Sequence, residues 1–136
     1  MTIAVAIQEL IVVIDAVTGM RNVPTAPPDN NDQFPFATLI PSSGRFEMAG
    51  GFLTSWHDVE IHLHVERTGM AMAYNQIIPL LSTIPTAIMD ALAAGTLTYT
   101  WEGDITYVWE SSSWQNTPTL AFIFTVEGVK VQGDLA

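Results

Sequence analysis

The chain has 136 residues, enough for one domain with a real core and too few for two. Fourteen acidic residues stand against four basic ones, a formal net charge of −10, and there is no cysteine. The four cations (Arg21, Arg45, Arg67, Lys130) are scattered, which excludes ordinary nucleic-acid binding by phosphate neutralisation, and the missing thiols exclude disulfides, thiolate metal sites and cysteine nucleophiles.

Hydrophobic residues make up 49% and charged residues 13%, the latter about half of the roughly 25% usual in soluble domains. The apolar excess points to surface buried against other copies or partners. The N-terminus has no basic n-region, and its apolar run is broken at Gln8-Glu9 and closed by Asp15. Neither a signal peptide nor a membrane span of about 20 apolar residues is expected there.

Thr2 to Thr18 is predicted to be helical, because Ile3, Ile7, Leu10, Ile11, Ile14 and Val17 recur at spacings of three and four and Gly19 stands where a helix ends. Val5, Val12 and Val13 make the other face apolar too, which suits contact with a neighbouring subunit. The β-branched content leaves a buried strand as the alternative. Met20 to Gln33, rich in Pro, Asp and Asn, reads as an extended connection, an arm over the surface or onto a partner. Phe34 to Ile40 reads as a strand, Pro41-Ser-Ser-Gly44 as a turn, and Arg45 to Met48 as the return strand, broken by Ala49-Gly50-Gly51.

Ser55 to Arg67 carries the clearest signal. Val59, Ile61, Leu63 and Val65 alternate with Asp58, Glu60, His62, His64 and Glu66, the pattern of a half-buried strand. Met70 to Ala94 follows as helix, with Met72, Ile77, Leu81, Ile84, Ile88 and Leu92 near one stripe. Pro79 and Pro85 predict two pieces with a kink between 78 and 85, the second capped by Ser82 or Thr83, and Gly95 ends it. Leu97 to Trp101 and Ile105 to Glu110 read as strands and Ser111-Ser-Ser113 as a turn. The apolar run Thr119 to Val126 reads as a central strand covered on both faces. Glu127-Gly128 reads as a bulge or turn before Val129 to Val131. The expected order is α-β-β-β-α-β-β: an α+β fold, a single mixed or antiparallel sheet of about five strands packed with two helices.

No local motif announces chemistry. His62 and His64, spaced i and i+2 on a strand, can reach one ion, but residues of this kind are also normal on a solvated strand face. His57 falls in the apolar register and reads as a packing or hydrogen-bonding residue. There is no Gly-x-Ser-x-Gly elbow, and Gly50-Gly51 lacks the Lys and helix of a phosphate loop. Glu102 and Asp104 flank Gly103 as a turn requires. Trp56, Trp101, Trp109 and Trp114 read as core or interface packing, with a sugar or peptide groove as the alternative. No catalytic, cofactor-binding or metal-ligating residue is assigned, and no enzyme is expected.

The order of elements carries more. An apolar N-terminal helix precedes a Pro-rich crossing into Phe34-Pro35-Phe36-Ala37. A hairpin with a Gly-rich tip, the long strand 56–67, a helix through Ala71-Met-Ala-Tyr-Asn-Gln-Ile-Ile78 and a closing antiparallel pair follow. Over nearly its full length the chain resembles the tail terminator (tail-completion, tail-to-head joining) proteins of long-tailed bacteriophages. The resemblance implies a homo-hexameric ring on the last ring of tail-tube protein, at the tail–neck junction of the virion, assembled in the host cytoplasm. Such a ring stops tube polymerisation, presents a surface to the head-completion or neck protein, and lets DNA pass its lumen without specific binding; no membrane is implied. An acidic wall agrees with this, since like charges keep DNA from sticking. The histidine-bearing strand face has no counterpart in that picture. Another phage neck or head-completion protein, or a small metal- or ligand-binding domain using His62 and His64, is the alternative.

Overall fold

In a computed structural model of the chain, the described residues are 3–24, 34–49, 52–66, 69–95, 97, 100–101, 103–114 and 117–134. The element order is α1 (Ile3–Asp15), β1 (Phe36–Ala49), β2 (Phe52–Glu66), α2 (Met70–Ala93), β3 (Thr100–Trp101), β4 (Ile105–Trp114) and β5 (Thr117–Asp134). This is an α+β fold with one antiparallel sheet of five strands. The sheet is four strands across, β1-β2-β5 followed by β3 and β4, which both lie along β5. Two strands precede the second helix and three follow it, not three and two as the sequence predicts.

The difference arises in the first hairpin. Pro41 to Gly44 is not a turn; β1 runs through it and pairs with β2 from Phe36 opposite His64 to Ala49 opposite Phe52. An extra residue at Ser42 forms a β-bulge there. The bulge lets the strand carry Pro41, tolerable because β1 is an edge and Pro41 need not donate to a second neighbour. β1 ends at Ala49 and β2 begins at Phe52; Gly50 and Gly51 lie outside the described residues. Ser111 to Ser113 is likewise strand rather than turn, pairing with Leu120 to Pro118 of β5. Turn-forming residue types yield here to the long partner strand beside them. Of Leu97 to Trp101, only Thr100–Trp101 is strand. Arg67, and the arm from 25 to 33, lie outside the described residues.

The second helix is not divided into two pieces: α2 is one continuous helix of 24 residues with Pro79 and Pro85 inside it. Each proline leaves the carbonyl four residues back without its helical donor. Asn75, facing Pro79, is on the exposed side, where water can serve. Hydroxyls reinforce the stretch between the prolines: Ser82 donates to the Pro79 carbonyl at 3.3 Å and Thr86 to the Ser82 carbonyl at 2.7 Å. The opposite stripe, Ala73, Ile77, Leu80, Ile84 and Ile88, is buried. Each of the larger ones gains about 1.5–3 kcal/mol from leaving water, which offsets the cost of two prolines. Met72, placed on the stripe by the sequence, is instead 72% exposed. By length and apolar composition alone α2 could cross a membrane, and 22% of that stretch is buried in the structure.

In α1, Ala6, Leu10, Ile11 and Ile14 are buried, and Ile3 and Ile7 pack partly against the same core. Both helices lie on one face of the sheet, over Val59, Ile61, Leu63 and Val65 of β2 and Leu120, Phe122, Phe124 and Val126 of β5. The alternation that predicts the strand therefore also predicts its covered face.

Candidate interaction surfaces

The face of the sheet turned away from the helices carries the polar residues of β2, and the structure treats them unequally. His64 is 5% exposed, its ring stacked on Phe36 with centroids 5.1 Å apart and its Nδ1 hydrogen-bonded to Thr119 Oγ1 at 3.0 Å. Burial, and then the charge of His62, pushes its pKa down to about 4, so the ring is neutral at pH 7. His62 is more open and meets Glu60 at 2.9 Å. One of the two histidines is thus a core residue, turned to a hydroxyl on a neighbouring strand. Among the described residues no group of three or more His, Asp or Glu is placed to hold a metal ion. On the helix side, His57 is buried, hydrogen-bonded to Ser55 Oγ at 2.8 Å and met edge-on by Phe46, and burial lowers its pKa.

Asp58 holds three strands together. Both neighbours of β2 slip register beside it, β1 at Ser42 and β5 between Val126 and Val129. Its carboxylate accepts from the Ser43 hydroxyl at 3.2 Å on one side and the Gly128 N–H at 3.1 Å on the other, while its carbonyl accepts from the Ser42 hydroxyl at 3.1 Å. Gly128 has φ of 72°, a left-handed conformation suited to glycine at a bulge. Nothing in the sequence marks Asp58 apart from its acidic neighbours; the paired Gly and Ser-Ser sites become meaningful only once three strands are aligned.

Beyond this point Arg45, Trp56 and Lys130 stand in register across β1, β2 and β5. The Arg45 guanidinium lies 3.8 Å from the Trp56 ring centroid and the Lys130 ammonium 5.6 Å from it. Arg45 also pairs with Glu47 at 3.1 Å, in the open. Two of the four basic residues thus meet on one tryptophan. Gly44, opposite His57, leaves no room for a side chain: a Cβ there would sit 2.6 Å from the Trp56 carbonyl oxygen.

The apolar excess is found on the outside. On β1, Phe46 and Met48 are 67% and 70% exposed; on β4, Tyr107 and Val108 are 56% and 58%. Tyr107 and Trp109 meet Phe122 edge-on, and Trp109 is 6.3 Å from Tyr74 of α2, forming an aromatic patch beside that helix. Trp109 is the tryptophan that reaches the surface as an interface residue would; the side chains of Trp101 and Trp114 are outside the described residues. On the second face of α1, Ala4, Val5, Gln8, Glu9, Val12, Val13 and Leu97 line an open hollow of about 470 Å³, with Val12 69% exposed among the described residues. The start of the arm returns to its own sheet, with Asn22 bridging Phe36 and Val23 buried in the core. No protein-family model matches the chain, and no curated protein matches it.

Proposed function

We propose that this chain is a structural virion protein of the tail-terminator type: a subunit of a ring that caps the phage tail tube, halts its polymerisation and joins tail to head. The observation that carries the reading is the exposed apolar surface, among the described residues, of an acidic, charge-poor subunit: Val12 of α1, Phe46 and Met48 of β1, and Tyr107 and Val108 of β4 lie in separate places. A closed ring of identical subunits needs two different patches that meet head to tail. The succession of helix, long hairpin, helix and closing hairpin agrees with the family resembled. The net charge of −10 suits a wall past which DNA slides. His64, buried and bonded to Thr119, weighs against a ligand role for the histidine pair.

The test is assembly. Mixed with tail-tube protein, the chain should cap growing tubes, stop their elongation, and appear as a ring at one end by electron microscopy, at six times the chain mass when released. Tubes of unchanged length with no bound ring would sink the reading. Binding to portal-side neck proteins and not to tubes would move it to the head-completion side of the joint.

A further inference from the structure

From the two open edges of the sheet we infer that copies of this chain join edge to edge, β4 of one against β1 of the next, in one continuous antiparallel sheet held in register by Glu110 and Arg45. Soluble proteins protect long edges with Lys, Pro or covering segments, because an open edge is a template for another strand. Among the described residues β4 pairs only with β5, and β1 only with β2 apart from the Asn22 bridge at Phe36. β1 carries one such guard, Pro41 beside its bulge; beyond it, from Ser43 to Met48, every residue is exposed, as are Thr106 to Glu110 of β4.

The strand directions allow it. In an antiparallel sheet ordered β1-β2-β5-β4, the two outer strands run opposite ways. A second copy laid beside the first, same face up, therefore brings β1 antiparallel to β4. The contact uses a different edge from each copy, so it can propagate or close.

Facing then restricts the register. Ile105, Tyr107 and Trp109 are on the helix side, opposite Val126, Phe124 and Phe122. Phe46 is on the helix side of β1, against His57, and Met48 follows two residues on. Glu110 and Arg45 are both on the other face. Within Ser43 to Met48, registers that keep these faces matched put Glu110 opposite Ser43, Arg45 or Glu47. Glu47 sets like charges together and Ser43 leaves the carboxylate unmatched, whereas Arg45 supplies the opposite charge. Arg45 binds Glu47 through Nη1, and a guanidinium has donors left for a second carboxylate. In the same register Trp109 meets Phe46 and Tyr107 meets Met48, so exposed apolar side chains on both edges cover one another.

This concerns how copies meet and stands or falls apart from the tail reading. The association of wild type, Arg45→Glu, Glu110→Arg and the double swap is measured by mass photometry and sedimentation, with circular dichroism melts showing that each variant folds. Each single reversal should weaken association at least about tenfold, and the double swap should recover it. The chain has no cysteine of its own, so the Glu47→Cys/Val108→Cys pair should form interchain disulfides under mild oxidation, these positions being directly opposed. A wild type that stays monomeric at its highest soluble concentration overturns the inference. So do single reversals that associate like wild type, a double swap that does not recover, or cysteines that fail to join. Rings that survive both reversals would remove the edge pairing and leave the tail reading standing.

Discussion

In the two central strands Val59, Ile61, Leu63, Phe122, Phe124 and Val126 are at most 3% exposed, while on the two edges Phe46, Met48, Tyr107 and Val108 are each more than half exposed. All are apolar residues on antiparallel strands. The difference is what lies over them: two helices cover the centre, and nothing among the described residues covers the edges. The chain's low charge is thus not spread evenly. Its centre is a closed core, and its edges carry exposed apolar surface.

The largest test of that contrast is a core truncation. Phe124→Ala should cost about 3–5 kcal/mol in urea denaturation, through lost burial and a cavity between well-packed helices and sheet. A loss below about 1 kcal/mol would mean that the centre is looser than its burial implies.

Acid probes the covered part of the open face. His64 is held near 4 when folded and titrates near 6.5 when unfolded. Between those values the unfolded chain binds more protons, so stability is full above about pH 6.5 and falls as pH drops toward 4, by about 3 kcal/mol at most. Burial of His57 acts in the same direction. His64→Gln should flatten the pH profile of chemical denaturation; an unchanged profile would show that other groups govern it.

Next comes the clamp at the boundary between covered and bare β1. Asp58→Ala removes a carboxylate that serves both bulges and should cost about 1.5–3 kcal/mol. Gly128→Ala should cost about 1–2 kcal/mol through its left-handed backbone. If thermal melts show neither loss, the bulges are held by the strands alone.

The smallest folding effect belongs to the edges. Phe46→Ser should change the stability of the dilute chain by no more than about 0.5 kcal/mol while lowering its association. A large folding loss would erase the distinction between centre and edge.

The sequence analysis recovers what depends on period and composition. The alternation of Val59 to Val65 identifies β2 and its covered face, and the helical spacing of Ile77, Ile84 and Ile88, seven and four residues apart, identifies the inner stripe of α2. The apolar, charge-poor composition reappears as exposed Phe46, Met48, Tyr107 and Val108. It misplaces what depends on competition. Pro41-Ser-Ser-Gly and Ser111-Ser-Ser have the residue types of turns, but in place they are strands, because each lies beside a strand long enough to pair with every residue. Pro79 and Pro85 are helix breakers by type, yet α2 runs through both, its buried stripe of Ile77, Leu80, Ile84 and Ile88 holding it to the core.

Local pattern by itself therefore determined the α+β class, the two helices, the central strands and the apolar excess, since side-chain period and hydrophobicity are properties of a few successive residues. Only the tertiary structure decided the rest. It made His64 a neutral core residue beside Thr119, set Asp58 as the tie between Ser43 and Gly128, brought Arg45 and Lys130 onto Trp56, and left Phe46 and Tyr107 bare. Each of these joins residues from different strands, and strand neighbours far apart in the chain leave no trace in local sequence.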